Sequence, residues 1–91
     1  MPYLTKEEKE KFDPKYKETL SFLEKMDIKD LTGHLNYMVF RTVKVWTKKN
    51  GKKYFVFAAI VGTMICCVLE IYRRLVAPYE DKKILENGDV E

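Results

Sequence analysis

The feature that most constrains this chain is a run of sixteen consecutive uncharged residues, Tyr54 to Leu69 (YFVFAAIVGTMICCVL), with Lys52-Lys53 before it and Glu70, Arg73 and Arg74 after it. As a helix this run is roughly 24 Å long, and adding Glu70, Ile71 and Tyr72 gives about nineteen residues, close to the ~20 that cross a bilayer. Tyr54 and Tyr72 stand where interfacial aromatic rings belong, bracketed by Lys53 and Arg73. A buried helix of a soluble protein has little use for basic clamps and aromatics at both ends. The pattern predicts one membrane span over residues 52–76. It is a short span, suited to a thinner membrane or to one thinned by neighbouring helices.

The remainder cannot supply a conventional core. The chain has 91 residues, enough for one domain at most, and 34% of them are charged. The net charge of +3 is too weak to indicate nucleic acid, and lysine is favoured over arginine, which equips the chain poorly for bidentate reading of phosphates or bases. No nucleic-acid partner is expected. Charge is unevenly placed: Arg41, Lys44, Lys48, Lys49, Lys52 and Lys53 are the charged residues between Leu31 and Lys53, whereas Pro78 to Glu91 holds five acids against two lysines.

Before the span, Thr5 and Glu8 have the spacing of a capping box, in which hydroxyl and carboxylate each satisfy a free amide of a helix start. Asp13-Pro14 reads as a second start, an N-cap followed by proline at the first helical position. Tyr16, Leu20, Leu23 and Met26 then recur as one narrow apolar stripe, which needs a partner surface. Asp27 or Asp30 is expected to cap the next helix. On that helix Leu31, Leu35, Met38, Thr42 and Trp46 share a face, while His34, Tyr37, Arg41, Lys44 and Lys48 share another. It is basic and amphipathic and should end at Asn50-Gly51. Such a helix suits a membrane surface, with Leu35, Met38 and Trp46 as anchors, or equally the surface of a neighbouring subunit. After the span the helix should stop near Pro78, with a short separate helix from Glu80 to Glu86 and a stop at Asn87-Gly88.

The fold class is thus expected to be all-α, a single transmembrane helix preceded by short polar helices and a basic amphipathic helix and followed by a short charged tail. Four segments result: a polar helical arm (1–29), a basic amphipathic surface helix (30–51), the transmembrane helix (52–76) and the charged tail (77–91).

Chemistry has few candidate residues. His34 stands alone, with no cysteine or carboxylate cluster to make a metal site or a triad, and there is no phosphate-binding glycine loop and no CxxC pair. The adjacent Cys66 and Cys67 read as small apolar residues of the span, with S-acylation or redox sensing as the functional alternative. No catalytic, cofactor-binding or metal role is assigned, and the chain is expected not to be an enzyme. Ala58, Gly62, Cys66 and Glu70 follow one another at four-residue steps with Thr63 beside them. This makes a small and polar face that another helix can approach closely. Phe57, Ile60, Met64, Val68 and Ile71 make a bulky opposite face suited to lipid. Glu70 can snorkel to the interface and pair with Arg73 or Arg74, or make a polar contact to a neighbouring helix. Lys48, Lys49, Lys52 and Lys53, with Arg73 and Arg74 at the far end, sit where lipid headgroups lie, and an anionic lipid such as cardiolipin fits them.

The first thirty residues hold many acids, no arginine and no apolar run, so neither a secretory signal nor a cleavable mitochondrial presequence is expected there. The address is expected to reside in the span and its basic flank. The amino-terminal flank has more basic residues than the carboxyl-terminal one, which favours an amino terminus in the cytoplasm or matrix.

A polar arm, a surface helix, a short span and a charged tail resemble the small single-span accessory subunits of mitochondrial respiratory complexes. Arg73-Arg74, Tyr79 and the ending Leu85-Glu86-Asn87-Gly88-Asp89-Val90 resemble the tail of a small cytochrome c oxidase subunit, although the amino-terminal arm here is much longer. The resemblance covers about twenty residues. It implies a scaffold in the inner membrane that binds no redox centre, with other subunits of a multisubunit complex as partners. A small regulator of a pump or channel, or a tether in the endoplasmic reticulum, would use the same features.

Overall fold

The computed structural model describes residues 3–90, and their regular structure is entirely helical. The chain forms two compact units, one ending at Lys49 and the other beginning at Asn50.

In the first unit, helix α1 runs from Lys6 to Glu24. Its start is the expected capping box: the Glu8 amide donates to the Thr5 hydroxyl at 3.2 Å and the Thr5 amide donates to the Glu8 carboxylate at 3.0 Å. The second start expected at Asp13-Pro14 does not occur, because Pro14 lies inside α1. A proline within a helix removes one amide donor and crowds the carbonyl four residues back. On this solvated helix water can satisfy the orphaned carbonyl of Glu10, and the Lys- and Glu-rich turns on either side keep their helical preference.

Helix α1 closes with the Lys25 and Met26 amides bonded to the Phe22 and Leu23 carbonyls. A 3-10 turn, Ile28–Asp30, leads into α2, Leu31–Asn50. Asp27 occupies the capping position of that turn, but its side chain makes no capping bond. The Asp30 amide is bonded instead to the Asp27 backbone carbonyl at 3.0 Å. In α2 the Thr42 hydroxyl donates to the Met38 carbonyl at 2.9 Å. Its polarity is thereby satisfied within the helix, and Thr42 can present a methyl group on the apolar face.

In the second unit Gly51 adopts the left-handed conformation, with φ 88°, and ends α2 as expected. Lys53 is extended, and its carbonyl accepts from the Val56 and Phe57 amides at 3.1 Å each. From there one helix runs without interruption from Tyr54 to Asn87, 34 residues, long and apolar enough to cross a membrane. It consists of α3 (Tyr54–Ile71), a π-helical turn (Tyr72–Val76) and α4 (Ala77–Asn87).

The expected stop at Pro78 and the separate tail helix are therefore corrected. The reason lies in the π turn, where the Ala77 amide bonds to the Tyr72 carbonyl, a step of five residues. The widened turn gives the proline ring room that a regular helix would deny it. The helix ends at Gly88, φ 81°, whose amide bonds to the Ile84 carbonyl at 2.8 Å.

Candidate functional site

Helix α3 carries the predicted packing face. Ala58, Gly62, Thr63 and Cys66 are all exposed, and Glu70 is partly covered. Ala59, which the sequence reading passed over, falls 100° from Ala58 and belongs to the same small-residue face. Gly62 is the informative member. It lies in regular helix rather than at a positive φ, and a methyl group built on it would meet nothing within 4 Å. Neither backbone conformation nor packing within this chain requires glycine there, although glycine costs a helix about 1 kcal/mol relative to alanine.

Glu70 is held by its own helix. Arg74 Nη1 lies 2.9 Å from Glu70 Oε1, the four-residue spacing expected from sequence. The carboxylate is largely covered while the guanidinium is mostly exposed. Both Arg73 and Arg74 fall within the π turn, so the charged end of the apolar stretch and the change of helical register coincide.

At the other end, Lys48 and Lys49 form the last turn of α2, and Lys52 and Lys53 lie in the link to α3. All four are exposed. The Lys53 ammonium stands 6.0 Å from the centre of the Phe55 ring, a weak cation–π contact.

The three surface-anchor residues of α2 are not equivalent. Leu35 and Met38 line an apolar cleft with Leu23 of α1, with Met26 and Ile28 of the corner and with Leu31 at the start of α2. Trp46, two turns beyond Met38, is not part of that cleft and is 51% exposed. The stripe of α1 thus ends against the first half of the α2 apolar face, and the second half lies beyond it. His34 lies near Phe22 with the two rings tilted at 58° and their centroids 6.0 Å apart. Sequence periodicity could place each stripe on its helix but not bring the two together.

Cys66 and Cys67 are free thiols, and no group of His, Cys, Asp and Glu among the described residues could hold a metal ion. Among the described acids outside the apolar helix, Glu8 has a perturbed ionisation. Hydrogen bonds from the Thr5 amide and then the Thr5 hydroxyl hold its carboxyl below the ordinary value of 4.5.

Among curated proteins and among solved structures, no match is found. A family model, a domain of unknown function designated DUF6899, matches residues 1–90, and the chain belongs to that family.

Proposed function

We infer that α3 crosses a bilayer once and that the chain is a non-catalytic structural subunit of a large complex in the mitochondrial inner membrane, of the respiratory-chain kind. One observation carries the membrane reading. The second unit is a single helix, so its apolar side chains have no core of their own to enter. Val61, Ile65, Val68 and Leu69 are each more than half exposed. At ~25 cal/mol per Å² such an apolar surface is strongly disfavoured in water and costs nothing in hydrocarbon.

The scaffold reading rests on the small-residue face. Ala58, Gly62, Thr63 and Cys66 would let a neighbouring helix approach closely, and Gly62 has no internal reason to be glycine. The amphipathic α2 would lie on the matrix surface, with Trp46 in the interface, and the polar arms would grip adjacent subunits. The placement of the amino terminus in the matrix follows from the basic flank. The mitochondrial address follows from the resemblance in layout to respiratory accessory subunits. The non-catalytic reading rests on the engagement of Glu70 with Arg74 and of His34 with Phe22.

The test is native electrophoresis of membranes dissolved in a mild detergent, with mass spectrometry of each slice. Migration with a respiratory complex at constant stoichiometry is the expected result. Migration as a small species, or with one transporter in variable ratio, would replace the scaffold by a regulator or a tether.

A further inference from the structure

We propose that the second half of α2, from Val39 to Lys49, adsorbs to bilayers that contain anionic phospholipid and detaches from purely zwitterionic ones. The proposal rests on the reading of α3 as a membrane span, and it gives the surface position of α2 a lipid class and a condition.

Val39 to Lys49 belong to one unit, the one that also holds α1. The first half of the α2 apolar face is engaged at Leu35 and Met38, which line the cleft with Leu23 of α1. Beyond the cleft the face continues with Val39, Val43 and Trp46, none of them buried. Trp46 is 51% exposed. The same half carries every cation of α2: Arg41, Lys44, Lys48 and Lys49. No acid stands on α2, and the nearest along the chain are Asp30 and Glu70. The part of the apolar face that lies beyond α1 and the positive charge of the helix therefore coincide.

Their angular arrangement favours a lipid surface over a protein surface. At ~100° per residue Val39 lies about 20° from Trp46 and Val43 about 60°, whereas Arg41, Lys44 and Lys48 lie about 140–160° away. A flat protein partner meets one side of a helix, so it would take the apolar ridge or the three cations. A bilayer takes both. An amphipathic helix sinks about 5–10 Å into the headgroup boundary, at least its own radius, so the ridge reaches hydrocarbon while anionic headgroups rise beside the opposite side. Lys49, about 60° from Trp46, can extend its ammonium to the rim.

The small size of the ridge sets the condition. Surface binding scales with the apolar area buried plus the attraction to anionic lipid. Three apolar side chains make a short ridge, and charge has to supply the rest, at about fivefold in adsorption for each cation near an anionic leaflet. The link from Gly51 to Lys53 keeps α2 close to the bilayer without setting its direction. Lipid composition, rather than encounter, then decides whether this half of α2 is adsorbed.

Trp46 is the only tryptophan of the chain and reports on this half alone. The full chain is reconstituted in phosphatidylcholine brominated on its acyl chains, with or without phosphatidylglycerol, at constant bromine content. Quenching of Trp46 emission by the bromines, together with protection from acrylamide in the water, is expected with phosphatidylglycerol and not without it. It should weaken as salt rises. Lys48→Gln should lower the ratio of adsorbed to free α2 by about fivefold. R41Q/K44Q/K48Q/K49Q should abolish the quenching, with the helix retained because glutamine keeps its helical preference. K6Q/K9Q, which takes cations from α1, should leave the quenching in place. Equal quenching with and without phosphatidylglycerol, persistence in the quadruple variant, or loss in K6Q/K9Q would overturn the proposal. Absence of quenching in both lipids would overturn it in favour of a protein partner for this face. Carbonate extraction of the same samples separates the two readings. A chain that resists extraction while Trp46 ignores phosphatidylglycerol refutes the lipid binding and leaves the span standing. A chain released by carbonate refutes both.

Discussion

Glu8 and Gly62 show how differently single residues are used along this chain. Glu8 ionises to complete the start of α1, and its carboxyl is held below 4.5 by the amide and hydroxyl of Thr5. Because the folded value is depressed, the contribution is present above the unfolded value and disappears as pH falls through the folded one. Amides in the first turn of α1 should therefore exchange faster once pH drops below about 4.5, after correction for intrinsic rates. Thr5→Ala should accelerate them by about fivefold at neutral pH, the ratio that loss of a typical N-cap implies, and should abolish the pH dependence. Gly62 contributes nothing of this kind within the chain. Gly62→Leu should leave the helix intact, since leucine is the better helix former. The variant should remain carbonate-resistant yet lose co-migration with its complex on native electrophoresis. Unchanged co-migration would remove Gly62 from the packing face.

Among the elements, the boundaries written in local chemistry were legible in the sequence. Thr5 with Glu8, Asn50-Gly51 and Asn87-Gly88 fix helix ends through bonds within a few residues of each other. Pro14 and Pro78 misled because proline imposes a local penalty, whereas a helix is decided by the turns on both sides of it. Pro14 is carried by charged turns of high helical preference, and Pro78 by a π turn that no sequence period announces. The Ala58-to-Glu70 row and the Glu70–Arg74 pair could be read from the helical repeat. The separation of Leu35 and Met38 from Trp46 could not, because it depends on where α1 ends. If the π turn exists to accommodate Pro78, Pro78→Ala should relax it towards regular helix. Exchange of the amides from Tyr79 to Lys82 should then slow, by less than the ~3 kcal/mol cost of a proline in an unrelieved helix interior. Unaltered exchange there would mean that the π turn is held by something other than Pro78.

For the molecule as a whole, the continuous helix from Tyr54 to Asn87 makes membrane thickness the quantity that decides fit. Sixteen uncharged residues give roughly 24 Å, several ångströms less than the ~30 Å of a typical hydrocarbon core. The chain cannot gain length by moving a helix end, because the helix already continues through the π turn into α4. A thicker bilayer would draw the Glu70–Arg74 pair into hydrocarbon, where the pair loses its contact with water. Incorporation into phosphatidylcholines of increasing acyl length should therefore peak in a thin bilayer. Glu70→Leu extends the uncharged stretch from Leu69 to Tyr72, three residues, and should move that peak by about 4–5 Å towards greater thickness. Arg74 would lose its partner but stays mostly exposed at the helix surface, so the shift reports the acid rather than the arginine. A peak that stays in place would mean that Glu70 already reaches the headgroups by snorkelling. In that case the effective span ends at Tyr72 in the native chain, and mismatch plays no part in where the protein resides.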